Sequence, residues 1–256
     1  PPVGLIGDKY YHELSFFLLP TNDLKNISLL FKKLNLVVDR FICKNFLEGM
    51  SKMQTEKKNN FFKINYNKES CELLFFENYS FVYRQIFKFG SNKCNQDVSK
   101  VCSLNEKIVD DIFKKISFCS NYQDSKDKIL DKSFFENELF RKISLKHIYE
   151  VINARNNEIF DLIFNNNINI KFFKKKSRNV FIEVEDKSVF FNQNEMIKKN
   201  FDNSLNIHLS DKTQNDQYQN CLKAAELVSM GWDREVISYT QDKKSIISRI
   251  FSTLFK

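Results

Sequence analysis

The densest run of chemistry-bearing residues in the chain is Lys171-Phe172-Phe173-Lys174-Lys175-Lys176-Ser177-Arg178. Cations at Lys171, Lys174, Lys175, Lys176 and Arg178, backed by two aromatic rings, are the combination that grips phosphates while bases stack. The same residues also make a solvated turn whose lysines keep an edge strand from pairing with another chain. Both readings are open at the level of sequence.

The acids offer less. Glu183, Glu185, Asp186, Asp211 and Asp242 fall near expected strand ends, where metal-dependent phosphoryl chemistry places its carboxylates. The Asp-x-Asp pair that would hold Mg²⁺ there is missing, and turn and cap roles explain these positions. Nucleophilic catalysis needs a Cys or Ser beside a base, and only His12, His147 and His208 are available. His12 lies in an aromatic run, His208 between Ile207 and Leu209, and His147 near a helix start, so all three read as structural. Cys221 with His208 is the one pair that a single β-α unit would bring close, although a Cys followed by Leu222 on a helix face belongs to a core.

The cysteines at 43, 71, 94, 102, 119 and 221 form no C-x-x-C and no cluster, which is the pattern of reduced core thiols rather than of a zinc site. Among 5 glycines there is no G-x-G-x-x-G and no Walker sequence, and Leu209-Ser210-Asp211-Lys212 lacks the glycines that let backbone approach a phosphate. The sequence therefore assigns no catalytic residue, no metal ligand and no cofactor.

At 256 residues, with 42% hydrophobic and 28% charged residues, the chain can bury a substantial core. It contains no apolar run long enough for a membrane span. Lys, Asn and Phe are abundant (27 Phe), whereas Gly and Pro are scarce, as an AT-rich coding sequence would give. Part of the +8 charge is then compositional, and the charge alone permits nucleic acid, acidic protein or anionic lipid as partner. Pro1-Pro2-Val3-Gly4 shows neither the basic start nor the apolar run of a secretory signal, which points to the cytoplasm.

The elements that must position these groups follow from periodicity. Residues 10–19, aromatic-rich and stopped by Pro20, predict a strand. A helix then carries Leu24, Ile27, Leu30, Phe31 and Leu34 on one face. Leu36–Ile42 predicts a second strand. Phe61–Asn65, Cys71–Phe76 and Phe81–Phe89, parted by Asn67-Lys68-Glu69-Ser70 and Glu77-Asn78, predict an antiparallel meander. Ser103-Leu104-Asn105-Glu106 has capping-box order ahead of a helix through Ile116. Helices are predicted at Phe134–Ile143 and Ile148–Phe164, with Ser144 as a cap. Period-two segments follow at Ile168–Phe173, Val180–Val184 and Val189–Phe191. Then come a strand at Leu205–Leu209, a helix at Asn215–Met230, a strand at Glu235–Tyr239 and a helix at Lys244–Phe255.

The expected fold is α+β: an N-terminal antiparallel sheet with helices, a helical middle, and C-terminal β-hairpins running into a β-α-β-α unit. The expected modules are 1–122, a connector at 123–166, and a small α/β module at 167–256.

Asp186-Lys187-Ser188-Val189-Phe190-Phe191, the strand Leu205–Leu209, the helix Cys221-Leu222-Lys223-Ala224-Ala225-Glu226-Leu227-Val228, Gly231-Trp232 and Val236–Tyr239 resemble the small α/β domain appended to plasmid relaxases and large polyvalent mobile-element proteins. The resemblance spans 186–256. It implies descent from DNA-mobilisation and type IV secretion systems, and an accessory module without a catalytic set of its own.

Ile246, Ile247, Ile250, Phe251, Leu254 and Phe255 form a wide apolar stripe that either docks on the chain's own sheet or meets a partner. The function expected from sequence is a non-enzymatic, basic, cytoplasmic adaptor of a bacterial conjugation-related or type IV secretion machine, acting by protein contacts. The alternatives are a nucleic-acid-binding accessory module using 171–178, and a secreted effector whose activity is unrecognised.

Overall fold

The computed structural model describes residues 9, 14–115, 128–135, 139–190, 200–212 and 215–230. The expected strand at 235–239, the terminal helix and its apolar stripe from Ile246 to Phe255 lie outside these residues.

A five-stranded mixed sheet organises the chain. β1 (Phe61–Tyr66), β2 (Cys71–Glu77) and β3 (Ser80–Phe87) form the expected antiparallel meander, and β4 (Asn179–Val184) and β5 (Asn206–Asp211) continue it in the order β3-β2-β1-β4-β5. β1 pairs parallel with β4, Ile64 opposite Ile182, and β4 pairs parallel with β5. Three strands thus come from the segment expected to form the first module and two from the segment expected to form the third. The β2–β3 turn is a two-residue loop with Asn78 and Tyr79 both at positive φ (48° and 67°), the twist that a tight hairpin demands.

Alternation along the strands gives two buried faces. On the first, Phe62, Ile64 and Tyr66 of β1, Leu73 and Phe75 of β2, and Val180, Ile182 and Val184 of β4 pack into one large apolar core. Helices α3 (Asn92–Cys102), α4 (Glu106–Lys115) and α5 (Leu145–Phe160) bring Val98, Ile112, Ile152 and Phe160 to the same core. Ser144 caps α5 as expected, its Oγ accepting from the His147 N–H at 3.2 Å. Within this core the Tyr66 hydroxyl donates to Asn156 Oδ1 (2.8 Å), and Asn156 Nδ2 donates to the Val189 carbonyl (2.7 Å). Burial above all holds the Tyr66 phenol well above its ordinary pKa, so it stays a neutral donor.

The second face carries Phe61, Leu74, Phe76 and Phe181 and is covered by α2 (Lys44–Glu56). Gly49 is required there: a Cβ would stand 2.0 Å from Cε1 of Phe76, a fully buried ring stacked on Phe61 and Phe81. A further helix, α6 (Asn215–Met230), lies on α2 through Leu227 against Leu47 and Met50.

Several expected elements are corrected. Residues 14–19 and 36–42 are irregular rather than strands, and among the described residues no strand pairs with them. Helix α4 starts at Glu106; Ser103 is instead the left-handed C-cap of α3 (φ 50°). Of the described residues of the expected 134–143 helix, Phe134 and Phe135 close a 3₁₀ turn, Lys132–Phe135, and 139–143 are irregular. Ile168–Phe173 holds a 3₁₀ turn in place of a strand, since the Asn167 side chain accepts from the Asn169 N–H (3.0 Å) and bends the backbone. Val189 ends another 3₁₀ turn, Lys187–Val189.

Candidate functional site

Parallel strands that end together leave a crevice beyond their carboxyl ends, the usual ligand position in such sheets. Here β1, β4 and β5 end at Tyr66, Val184 and Asp211. The turn after β1, Asn67-Lys68-Glu69-Ser70, is held from both sides. The Lys68 N–H donates to Glu185 Oε2 at 2.7 Å, and Lys212 Nζ donates to Asn67 Oδ1 at 2.8 Å. On the other side the Ser91 and Asn92 amides donate to the carbonyls of Asn67 and Lys68. Gly90 permits that approach, because a Cβ there would sit 2.1 Å from the Asn67 oxygen.

Two adjoining hollows of about 140 and 180 Å³ open beside this turn and share Lys68, Asn95 and Asp110. The larger adds Phe113, Lys114, Asp186 and Ser188. Asp186 Oδ1 accepts from both the amide and the hydroxyl of Ser188, and Asp110 Oδ1 accepts from Asn95 Nδ2 at 2.6 Å. Ligand pockets usually run from about 300 Å³ upward. Each hollow is below that, and Asp110, which lines both, and Asp186, which lines the larger, already serve the protein's own donors. Among the described residues no group of three or more His, Cys, Asp or Glu is placed to hold a metal ion.

The acids singled out by sequence separate. Glu185 and Asp186 reach this edge, and Asp211 ends β5, whereas Glu183 points into the opposite face of the sheet to pair with Lys63. Asp242 and His12 lie outside the described residues. His208 stacks on Phe181 with ring centroids 4.8 Å apart, and Cys221 is exposed on α6. Burial pushes the thiols of Cys71 and Cys94 up to about 12, the environment of unreactive core sulfur.

The basic run 171–178 holds a single 3₁₀ turn, Phe173–Lys175, and leads into β4 without a strand on its N-terminal side, where Ile168–Ile170 is another 3₁₀ turn. Lys174 Nζ donates to the Asn165 carbonyl (2.9 Å) and lies over the Phe164 ring, and partial burial lowers its pKa. Lys176 pairs with Glu77 (2.7 Å) and covers the ring of Phe172. Phe173 stacks on Phe75. Lys171, Lys175 and Arg178 remain exposed.

The apolar surface that sequence reasoning missed is N-terminal. Helix α1 (Thr21–Lys33) has no buried residue, although its stripe of Ile27, Leu30, Phe31 and Leu34 has the spacing of a core-facing helix. Leu30 is 61% and Leu34 70% exposed, with Leu18, Leu36 and Val37 exposed on either side. The arm is tethered by Phe17, whose ring meets Phe46 of α2 at 5.7 Å and Phe81 of β3 at 5.8 Å. Periodicity located the stripe correctly; only the assembled sheet reveals that no element of the described chain lies over it.

No protein-family model and no curated protein sequence matches the chain. Solved structures do. MreB5 of Spiroplasma citri bound to ADP matches with a TM-score of 0.58 at 12% identity, over 84% of this chain and 69% of that one. The same protein bound to AMPPNP matches with a TM-score of 0.56 at 12% identity, over 83% of this chain. This chain spans only 66% of the latter structure. The likeness shows a shared fold, the actin-like one.

Proposed function

We propose that the chain is a non-enzymatic binding subunit that works by protein contacts through its N-terminal arm. The observation that carries this reading is α1: an amphipathic helix with its apolar stripe in solvent, flanked by further exposed Leu and Val. Monomers seldom leave a contiguous apolar surface of this kind open, and those that do use it for contacts. The cytoplasm is the proposed location, and among the described residues no helix is long and apolar enough to cross a membrane. A conjugation-related or type IV secretion machine is the proposed setting, on the resemblance of 186–256. The nucleic-acid alternative is less well supported, because Lys174 and Lys176 of its basic run are engaged within the chain.

Affinity capture from the native host after nuclease treatment tests the proposal. A stoichiometric protein retained by the wild type and lost with Leu30→Asp/Leu34→Asp is the expected outcome. Partners that vanish with nuclease, and are insensitive to that double substitution, would transfer the function to the basic run.

A second reading has one observation in its favour: the MreB5 structures of this fold hold AMPPNP or ADP. In this chain the Lys68 amide, at the turn where a phosphate would be cradled, already faces the Glu185 carboxylate, and the hollows alongside are small. Millimolar ADP or AMPPNP with Mg²⁺ is therefore expected to leave the thermal midpoint unchanged. Binding at a hundredfold excess over Kd would stabilise by about 2.7 kcal/mol, a shift easily read by calorimetry, and would establish a nucleotide site.

A further inference from the structure

The two faces of the sheet are closed by different physics. The first is a continuous apolar core under α3, α4 and α5. On the second, of the apolar side chains of α2 only Met53 joins Phe61, Leu74, Phe76 and Phe181, because Leu47 and Met50 turn outward to α6. What α2 presents to the middle of the sheet is charge. Glu48 meets Lys63 of β1 at 2.5 Å, Lys63 also meets Glu183 of β4 at 2.8 Å, and Lys52 of α2 meets Glu183 at 3.5 Å. Buried ion pairs of this kind add little net stability compared with apolar contact, since desolvation offsets their attraction.

Two further features bear on how α2 is held. Its C-cap, Lys57, is left-handed (φ 52°) and leads into an exposed link at Lys58 and Asn59, so the backbone joint to β1 is short and strained. Asn65, next but one to Lys63, donates through Nδ2 toward Glu48 and Glu72, yet its buried Oδ1 has no hydrogen-bond partner. Water entering beneath α2 would satisfy that oxygen, which lowers the cost of opening.

We propose that α2, with α6 resting on it, is a hinged cover that opens about residues 57–60, is latched by the Glu48–Lys63–Glu183 triad, and uncovers the aromatic face formed by Phe61, Phe76 and Phe181. The latch is charge-based. The groups facing it are Lys44 and Lys52 from α2, Asn65 from β1, Glu72 from β2 with Arg84 of β3 upon it, and His208 of β5 beside Phe181; Lys212 acts on Glu48 from the strand ends. The close seat of Gly49 on Phe76 gives the closed state a single register. This device stands whether or not the arm binds a partner; Phe17 joins the arm to Phe46 on the cover and to Phe81 of β3 on the sheet, so opening parts one of these two contacts.

Hydrogen exchange by mass spectrometry on the full chain tests it, corrected for intrinsic rates. Amides of 44–56 and 215–230 are expected to exchange together, at least about tenfold faster than those of 61–66 and 145–160, as a separately opening unit does. Glu48→Gln keeps the shape and removes the charge. It is expected to speed exchange in 44–56 by about a further tenfold while 61–66 and 145–160 stay as in the wild type. The triple Glu48→Met/Lys63→Met/Glu183→Met substitution replaces the whole latch by apolar contact and is expected to slow 44–56 again. Equal exchange of α2, β1 and α5 in the wild type would overturn the proposal, and this comparison needs no variant to fold. So would a Glu48→Gln effect spread evenly over all four segments.

Discussion

Lys63→Ala is expected to be among the most destabilising single substitutions in the chain, by about 3–5 kcal/mol in chemical denaturation. Lys63 sits mid-strand in Phe61-Phe62-Lys63-Ile64, yet its side chain is only 1% exposed, with Nζ between Glu48 and Glu183. Removing it leaves two carboxylates at 9% and 12% exposure without the cation that justified their burial. Lys44 and Lys52 stand 3.5 Å from them and compensate only in part. Against a total stability of order 5–15 kcal/mol, the loss is a large fraction.

The pH dependence carries a second signature. Burial raises the Glu48 pKa, but the charge and hydrogen bond of Lys63, with Lys44 and Lys212 behind them, outweigh it and hold the carboxyl below the usual range of a glutamate. A depressed acid contributes stability that is present above the unfolded value and is lost as pH falls through the folded one. In Lys63→Ala burial acts on Glu48 without its main counterweight, so its pKa is expected to rise. The sign then reverses: the variant loses stability as pH climbs from below the unfolded value toward the raised folded one. Urea titrations of both proteins at several pH values distinguish the two slopes.

Asn156→Leu is the second large effect. Asn156 is fully buried and joins three elements, accepting from Tyr66 of β1 and Cys94 of α3 and donating to the carbonyl of Val189. Leucine fills much the same volume but leaves the Tyr66 hydroxyl and the Val189 carbonyl unpaired in an apolar core. Each such group costs roughly 1–3 kcal/mol, so about 3 kcal/mol in total is expected, with a midpoint drop of roughly 10 °C for a chain of this size. Tyr66→Phe removes one donor and leaves the Asn156–Val189 bond, and about 1 kcal/mol is expected. Equal losses for the two variants would show that the network is not the cause.

The meander β1–β3 was legible because Asn67–Ser70 and Glu77-Asn78 are local turn signals between apolar runs, the second turn falling one residue later, at Asn78-Tyr79. α5 and α6 were legible from their periodicity. The pairing of β1 with β4 was not, since nothing local announces a partner more than a hundred residues away. Helix α3 escaped because its buried stripe is Cys94, Asn95, Val98 and Cys102, too small and too polar to register as a hydrophobic face. Residues 14–19 and 36–42 have strand composition but pair with no described strand, because β-propensity measures fit to a surface that must exist. The contacts that hold the strand-end turn from Glu185, Lys212, Ser91 and Asn92, and the Lys63 triad, are assembled by tertiary structure. Lys63 in an alternating strand reads as solvent-facing until α2 is laid over it.

The proposed function requires α1 to be a binding surface rather than core, and the thermal stability of Leu30→Asp/Leu34→Asp addresses that directly. With no buried side chain in α1, the double substitution is expected to change unfolding free energy by no more than about 0.5 kcal/mol. A loss of 2 kcal/mol or more, the order expected when charge enters an apolar core, would show that the stripe packs within the chain and would contradict the proposed function.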